Sequence, residues 1–314
     1  MKKEIVVVGS INLDLVASSS RIPLPGETVS GSSFRTFPGG KGANQAVAAA
    51  RLGGAVTILG KLGNDAFGIE LRDSLENAGV KTGPVENVAD SSGVALINTD
   101  AKGENAITVM AGANGHLSPV DIDANVELLR RAGIVLTQLE IPMDTIGHLA
   151  NFTRQEGIPL MLDPAPAKPR SSALLSCVDW LTPNETETCV LLGRAERNLS
   201  QSELEDAATS LLQRGCKNVI LKLGARGCYL ALADGTRRAV PAHKVTAVDT
   251  TAAGDAFNGA FAVAILSGEN AVNSAEWACA VAALSVTRHG AQPSMPPPSE
   301  LERFLEAPSI ALKP

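Results

Sequence analysis

The stretch DTTAAGDAFNGAF, residues 249–261, sets two aspartates around a run of small residues that leads into an apolar helical pattern. The first N–H groups of a helix lack intrahelical partners, so Ala252, Ala253 and Gly254 can direct several donors at one point outside the chain. Gly254 permits close approach of a ligand, and the alanines keep side chains out of the same space. The stretch therefore fits an anion site, and a plain turn and cap before a core helix fits it about equally well.

The composition favours a small metabolite as the partner of this chain. Its 314 residues suffice for two average domains or one large α/β domain, and its formal net charge of −6 disfavours nucleic acid or an anionic membrane. No stretch approaches the roughly 18 apolar residues of a membrane span, and the apolar run at 5–8 is too short for a signal peptide. The five cysteines show no metal-ligand spacing and are expected to be reduced, packed thiols in a cytoplasmic protein.

Short β-branched runs alternate with longer helical patterns along most of the chain. This alternation predicts an α/β fold with a mainly parallel sheet flanked by helices. Ligands of such sheets collect beyond the carboxyl ends of the strands. The predicted strands are 5–8, 56–59, 134–136, 160–162, 219–221 and 229–232, and the predicted helices are 43–52, 69–78, 143–156, 204–214 and 256–267.

Two segments, 13–37 and 91–110, interrupt the alternation. The first contains several prolines and glycines, and the second has alternating apolar residues on either side of a turn at 101–103. Both patterns predict short antiparallel ribbons inserted into the α/β frame. Together the ribbons can form a lid over a site, or they are surface hairpins only.

A second glycine cluster, PGGKGANQ at 38–45, opens into an alanine-rich helical pattern. It lacks the spacing of a P-loop, so it does not predict a Walker site. Its glycines let the backbone approach a ligand, and the side chains of Lys41 and Asn44 can hydrogen-bond hydroxyl groups. A cap for the following helix is an equally good interpretation.

Three further polar patterns follow predicted strands. Asn12 and Asp14 occupy alternate positions and can face one polyhydroxylated ligand, although local turn bonding explains them comparably well. Glu187, after the strand-like run 178–181, could hold hydrated Mg²⁺ or be a solvated helix residue. The segment LKLGARG at 221–227 reads as a strand and a glycine turn, with a structural or a nucleotide-binding role.

In order and spacing these pieces resemble the ribokinase family, the phosphofructokinase-B type of sugar kinases. GGKGANQAVAAA at 39–50 resembles the first family signature, and DTTAAGD at 249–255 resembles the second. The resemblance covers almost the full chain. It implies a single domain over residues 1–314, with a Rossmann-like ribokinase fold and a small inserted β-sheet lid formed by the segments near 13–37 and 91–110.

The activity implied by the resemblance is ATP-dependent phosphorylation of D-ribose at O5. The alternatives are a kinase for another sugar or a nucleoside, such as 2-deoxyribose, fructose or adenosine, and a sugar-binding regulator without turnover. The implied cofactors are Mg²⁺ with ATP and an activating K⁺. The implied partners are ATP, a small sugar and a second copy paired through the lid, with no nucleic acid and no membrane.

The resemblance also implies roles for individual residues. Asp255 would be the catalytic base, beside an anion hole formed by Ala252, Ala253 and Gly254. The implied sugar-binding residues are Asn12, Asp14, Gly40, Lys41, Gly42, Ala43, Asn44, Glu140 and Asp255. The implied nucleotide residues are Asn184, Lys222, Gly224, Ala225, Arg226, Gly227 and Cys279. Glu187 would act on Mg²⁺ indirectly, and K⁺ would involve Asp249, Thr251, Ser285, Arg288, Gly290 and Ser294.

Two of these positions depart from the family pattern. Lys222 stands where some members have threonine, and Cys279 stands where some have a polar residue near the adenine. Neither is expected to touch the reaction centre. The two departures therefore leave the nucleotide preference open and do not bear on kinase activity.

Overall fold

Two main β-sheets, of eight and four strands, and a third of two strands organise the computed structural model, which describes residues 3–168, 172–195 and 198–306. The ends of the predicted 1–314 domain, at 1–2 and 307–314, lie outside the described residues. The described strands are β1 (Glu4–Val8), β2 (Asn12–Ser19), β3 (Gly31–Gly39), β4 (Val56–Leu59), β5 (Lys61–Gly63), β6 (Glu86–Val88), β7 (Gly93–Thr99), β8 (Asn105–Met110), β9 (Ala132–Thr137), β10 (Leu160–Leu162), β11 (Trp180–Leu181), β12 (Asn218–Lys222), β13 (Cys228–Ala231) and β14 (Arg237–Val240).

The helices cover both faces of the larger sheet. Those described are α1 (Lys41–Arg51), α2 (Ala66–Asn77), α3 (Pro119–Ala124), α4 (Val126–Arg130), α5 (Met143–Glu156), α6 (Ser172–Leu175), α7 (Glu185–Leu192), α8 (Gln201–Gln213), α9 (Ala253–Leu266), α10 (Ala271–Ser285) and α11 (Pro298–Glu306). In the described residues, no helix is long and apolar enough to cross a membrane.

The central sheet has the strand order β14-β13-β12-β11-β10-β9-β1-β4. The six strands from β4 to β12 run parallel, and β13 and β14 add an antiparallel edge. The mainly parallel sheet that the alternating pattern predicts is therefore confirmed. Both faces are buried: Ile5 and Val7 of β1 pack with α1 and α9, whereas Val6 and Val8 pack toward α5 and α8.

Helices α1 and α9 approach each other unusually closely. A β-carbon at Gly259 of α9 would lie 2.7 Å from both the Ala48 Cβ and the Gln45 carbonyl oxygen of α1. Small residues at such a contact let two helix backbones come together. This contact brings the first residues of α1 close to the first residues of α9. The polar residues of the two glycine motifs lie at these two helix starts.

The second sheet is formed by the two predicted ribbons, in the order β3-β2-β7-β8. Strands β2 and β3 pair antiparallel, as do β7 and β8. A parallel pairing of β2 with β7 joins the two ribbons, a feature that the sequence pattern does not indicate. We call this four-stranded sheet the lid sheet. Its strand β2 begins at Asn12, three residues after Gly9, which directly follows β1. The lid sheet therefore starts at the carboxyl end of β1.

Candidate active site

A cavity of about 600 Å³ opens at the carboxyl ends of strands β10, β11 and β12. One end is polar and contains the starts of α7 and α9. The other end is bounded by the turn after β12, by residues 242–247 and by one face of α10. The lining residues of the polar end include Lys41, Asp163, Asn184, Glu187, Lys222, Gly254 and Asp255. The position agrees with the general rule for ligand sites in parallel sheets.

The start of α1 is held against the loop after β1. A β-carbon at Gly42 would lie 2.7 Å from the backbone of Gly9, so only glycine fits there. The Lys41 N–H donates to Glu140 Oε2 over 3.1 Å, and the Ser10 hydroxyl donates to the same oxygen over 2.6 Å. The predicted sugar residues 40–44 and Glu140, which are about 100 residues apart in sequence, are thus brought together.

Asn12 and Asp14 project from β2 of the lid sheet beside this cluster. Asn12 Oδ1 accepts a hydrogen bond from Asn114 Nδ2 over 2.7 Å. Burial raises the pKa of Asp14 to about 7, and the nearby negative charges of Glu140 and Asp255 act in the same direction. Asn12, Asp14 and Glu140 are not in the cavity lining, but Glu140 is connected to it through its hydrogen bond with the Lys41 N–H.

Asp255 is buried in the first turn of α9 and is held by two amides from α1. Its Oδ1 accepts from Gln45 Nε2 over 3.0 Å, and its Oδ2 accepts from Asn44 Nδ2 over 3.2 Å. Burial raises the pKa of Asp255, opposed chiefly by the positive charge of Lys41. Burial alone would lower the pKa of Lys41, but the carboxylates of Asp255, Asp163 and Glu140 raise it. Lys41 therefore stays charged beside Asp255.

The start of α9 has a strained backbone. Ala252 adopts φ 60° and is the one non-glycine residue with positive φ in the described part of the chain. That conformation costs an L-residue roughly 1 kcal/mol or more and is often retained at functional sites. No side chain caps this helix, and Ala252, Ala253 and Gly254 line the cavity. The start of α9 therefore lies in the cavity wall without a side-chain cap, and the anion site at this helix start stays a prediction.

Asn184 and Glu187 form a reciprocal cap at the start of α7. The Glu187 N–H donates to Asn184 Oδ1 over 2.8 Å, and the Asn184 N–H donates to Glu187 Oε2 over 2.7 Å. Glu187 is buried in the cavity wall, so it is not a solvated helix residue. Burial raises its pKa, and the positive charge of Lys222 opposes that effect.

The residues after β12 divide between the cavity and the surface. Gly224, Ala225 and Gly227 line the cavity, as does Cys279 of α10. Arg226 instead pairs with Glu185 and donates to the Leu199 carbonyl over 2.9 Å. Lys222 also lines the cavity, and its Nζ would lie 3.1 Å from a β-carbon at Gly254, so its ammonium group is close to the start of α9.

Asp249 joins the two segments predicted to hold K⁺. Its carboxylate accepts from the Thr251 N–H and from the Gly290 N–H, each over 2.9 Å. Burial acts to raise the pKa of Asp249, but these hydrogen bonds outweigh burial, so the pKa lies below its ordinary value. The hydroxyls of Ser285 and Ser294 donate to carbonyls of their own turns, and the Arg288 side chain pairs with Glu300. A cation ligand at Arg288 would therefore be its backbone oxygen, whereas Ser285 and Ser294 offer both a backbone oxygen and a hydroxyl oxygen.

Comparison with known proteins identifies this arrangement. The family model for "pfkB family carbohydrate kinase" matches residues 2–298. The chain belongs to the pfkB family of carbohydrate kinases. The predicted resemblance and fold are confirmed. In the described residues of this pfkB kinase no cluster of three or more His, Cys, Asp or Glu is arranged to hold a metal ion.

The relatives of this pfkB kinase include proteins named for two sugars. A ribokinase of Haemophilus influenzae is 38% identical over 307 residues, covering 98% of this chain and 99% of the relative. A deoxyribokinase of Salmonella typhimurium is 38% identical over 304 residues, covering 96% of this chain and 98% of the relative. The structure of Arabidopsis thaliana ribokinase with ribose and ATP has a TM-score of 0.90 at 34% identity, and the match covers 98% of this chain and all of that one.

Sequence reasoning missed three buried polar residues of this pfkB kinase site. Asp163 accepts from Gln45, and Gln45 in turn accepts from Gln138 Nε2 over 2.8 Å. A signal for Asp163 was available, because a carboxylate directly after a predicted strand lies at the ligand-binding edge of a parallel sheet. For Gln45 and Gln138 the signal was weak, since amides are common in ordinary helices and loops.

Proposed function

We propose that this pfkB kinase transfers the γ-phosphoryl group of ATP to the 5-hydroxyl of D-ribose. The observation that carries the proposal is the buried Asp255, which lies between a cluster of hydroxyl-binding side chains and the uncapped start of α9. The ribokinase relatives and the structure that contains ribose and ATP support the same substrates. A sugar-binding regulator without turnover would not require this placement of a carboxylate.

A single assay tests the proposal. The purified protein is incubated with ATP, Mg²⁺ and one of ribose, 2-deoxyribose, fructose or adenosine, and phosphorylated product is detected by ³¹P NMR. We expect product with ribose, whose 5-phosphoryl resonance identifies the acceptor oxygen. Product with none of the four compounds would support a regulator, and product with adenosine alone would support a nucleoside kinase.

The chain's own residues supply positioning and charge stabilisation, which phosphoryl transfer chiefly requires. Asp255 accepts the proton of the sugar hydroxyl as the hydroxyl oxygen bonds to the γ-phosphorus; the bond from that phosphorus to the β–γ bridging oxygen breaks, and ADP leaves. The N–H groups at the start of α9 face the negative charge of the transferring group. Asn44 Oδ1 is buried without a hydrogen-bond partner among the described residues, and a sugar hydroxyl would satisfy it.

Both proposed metal ions fit the residues present. Asn184 and the Glu187 carboxylate lie in the cavity wall where phosphates would enter, so they would hold hydrated Mg²⁺ through water. When bound, Mg²⁺ neutralises charge on the phosphate oxygens. The Asp249 carboxylate and backbone oxygens of the Gly290 segment are oxygen donors that suit K⁺.

We expect ribose to be preferred over 2-deoxyribose in kcat/KM by about 10-fold or more. The polar cluster around Lys41, Asn44 and Asp14 would bond the sugar hydroxyls, and a missing hydroxyl leaves buried groups unpaired at about 1–3 kcal/mol each. Steady-state kinetics with both sugars measures the ratio. The deoxyribokinase relative makes the comparison decisive, because equal or better kcat/KM with 2-deoxyribose would move the assignment to that sugar.

We also expect K⁺ to raise turnover above the level in Na⁺ or tetramethylammonium. Asp249 lies six residues before Asp255, and its bonds to Thr251 and Gly290 set the loop that leads into the anion site. A cation there would act on the shape of that loop without contacting substrate. The measurement is kcat in each chloride salt at equal ionic strength after desalting. Turnover that is the same in all three salts would argue against a K⁺ site.

The lid sheet supports a proposal of homodimer formation. Ile107 and Val109 of β8 are 54% and 52% exposed, and their register partners on β7 place them on the same face as Asp14. An exposed apolar face is typical of an interaction surface. Ile107→Asp should therefore shift the protein toward monomer in sedimentation velocity. Val120→Asp, at an apolar position on α3 that is 73% exposed, should not; a monomeric wild-type protein would contradict the proposal.

A cytoplasmic location is proposed from the cysteines. None of the five forms a disulfide in the structure, and all five are buried. Cysteines that form no disulfide fit a reducing compartment, where disulfides are rare. Cell fractionation with an antibody to the protein would test this location, and recovery outside the cytoplasmic fraction would contradict it.

A further inference from the structure

Asp163 and Lys222 form a buried ion pair in the wall of the active-site cavity. Asp163 follows β10, and Lys222 ends β12, so the pair crosses the carboxyl end of β11. Lys222 Nζ lies 3.0 Å from Asp163 Oδ1, and the two side chains are 13% and 2% exposed. A pair so far from water is costly to bury, so its retention calls for a specific use of one of the charges.

The ammonium group of Lys222 lies against the anion site. Its Nζ would be 3.1 Å from a β-carbon at Gly254, and the same cavity end contains Asn184 and Glu187. The Lys222 backbone is fixed, because its N–H donates to the Pro183 carbonyl over 2.8 Å. An ammonium group has three donors, and Asp163 takes one of them. The others are available to a ligand.

Asp163 also reaches the group that holds the catalytic base. Its Oδ2 accepts from Gln45 Nε2 over 3.0 Å, and the same nitrogen donates to Asp255 Oδ1 over 3.0 Å. The Asp163 carboxylate thus holds both the Lys222 side chain, on the proposed phosphate side, and the Gln45 amide, on the proposed sugar side. Because both hydrogens of the Gln45 amide are used, moving Asp163 would also disturb Asp255.

We propose that Lys222 contacts the transferring phosphoryl group of ATP and that Asp163 is a positioning residue that aligns Lys222 with Asp255. The proposal rests on the proposed kinase function. Its electrostatic basis is the excess of carboxylates at this centre: Asp163, Glu187 and Asp255 are all buried, and a polyphosphate can approach them only where a cation faces it. Lys222 provides one such cation beside the start of α9, and Lys41, which lines the same end of the cavity, is the other.

The Lys222 contact is tested by nucleotide binding alone. Calorimetry measures the affinities of wild-type protein, Lys222→Met and Lys217→Met for ATP and for adenosine. Lys217 precedes the same strand at its far end, roughly 17 Å away, and pairs with Asp179 at the surface, so it is a matched control. Lys222→Met should lose at least about 10-fold in ATP affinity with little change for adenosine, and Lys217→Met should change neither.

A second variant covers the case in which Lys222→Met fails to fold, since that change leaves Asp163 unpaired. Asp163→Asn/Lys222→Met replaces the ion pair by neutral groups of similar size and should show the same loss of ATP affinity. Wild-type ATP affinity in a folded variant of either kind would overturn the Lys222 contact. A wild-type protein that binds ATP and phosphorylates no sugar would overturn the proposed function and leave this comparison intact.

The positioning role of Asp163 is tested by Asp163→Asn. Asparagine retains an oxygen for Gln45 but removes the counter-charge of Lys222, so kcat should fall by about 10-fold or more while KM for the sugar stays within two-fold. A purely structural role would lower the unfolding temperature and leave kcat of the folded fraction unchanged. That result would overturn the positioning role.

Discussion

Asp255→Asn is expected to lower kcat by about 10²–10⁴-fold, with the affinities for ATP and sugar changed little. Asparagine has nearly the same size and can keep a contact with Asn44 or Gln45, but its amide does not accept the proton of the sugar hydroxyl. The measurements are kcat, both dissociation constants and the thermal unfolding temperature. The unfolding temperature should change little, because the neutral amide avoids the burial of a charge but turns its NH₂ group toward one of two donors.

Asp65→Asn provides the matched control for this prediction. Asp65 caps α2 by accepting from the Gly68 N–H over 2.7 Å and does not line the cavity. Asp65→Asn therefore measures the loss of a helix cap at a position with no proposed part in catalysis. It should lower stability slightly and leave kcat unchanged. If a folded Asp255→Asn protein had near wild-type kcat, Asp255 would not be the catalytic base. The function proposed for this site would then lose its main support.

Gly259→Ala is expected to lower the free energy of unfolding by about 1–3 kcal/mol and to reduce kcat. The added methyl would lie 2.7 Å from the Gln45 carbonyl, so α1 and α9 must separate. Separation lengthens the hydrogen bonds from Asn44 and Gln45 to Asp255. Denaturant unfolding and steady-state kinetics with ribose measure the two effects.

Gly147→Ala in α5 makes the same substitution where no atom lies within 4 Å of the new methyl. Alanine favours a helix over glycine by about 1 kcal/mol, so this variant should be more stable than wild type and equally active. If Gly259→Ala were also stabilised and fully active, the close contact of α1 with α9 would not hold the catalytic base.

Much of the fold could be predicted, because local patterns decide its elements. The helix predicted at 143–156 matches α5 at both ends, and every predicted strand overlaps an observed one. The helix predicted at 69–78 begins earlier, at Ala66, because Asp65 supplies the cap. Helix α10 was not predicted, since its apolar residues lie on several faces and leave no clear stripe.

The candidate site was predictable only where its residues share a motif. The starts of α1 and α9 lie in two recognisable glycine clusters, so their ligand-binding character follows from the sequence. Asp163 and Lys222 are 59 residues apart and meet because β10 and β12 flank the same strand. No local pattern encodes that meeting, so the sequence does not predict it.

The bond from Gln45 to Asp255 joins residues 210 positions apart, and this separation has a consequence for biosynthesis. At about 5–20 residues added per second, the ribosome exposes α1 roughly 10–40 s before it exposes α9. During that interval the alanine-rich face of α1 has no α9 to pack against. The nascent chain can therefore pair β1 with β4 early, but it can form the Gln45–Asp255 contact only after α9 has left the ribosome.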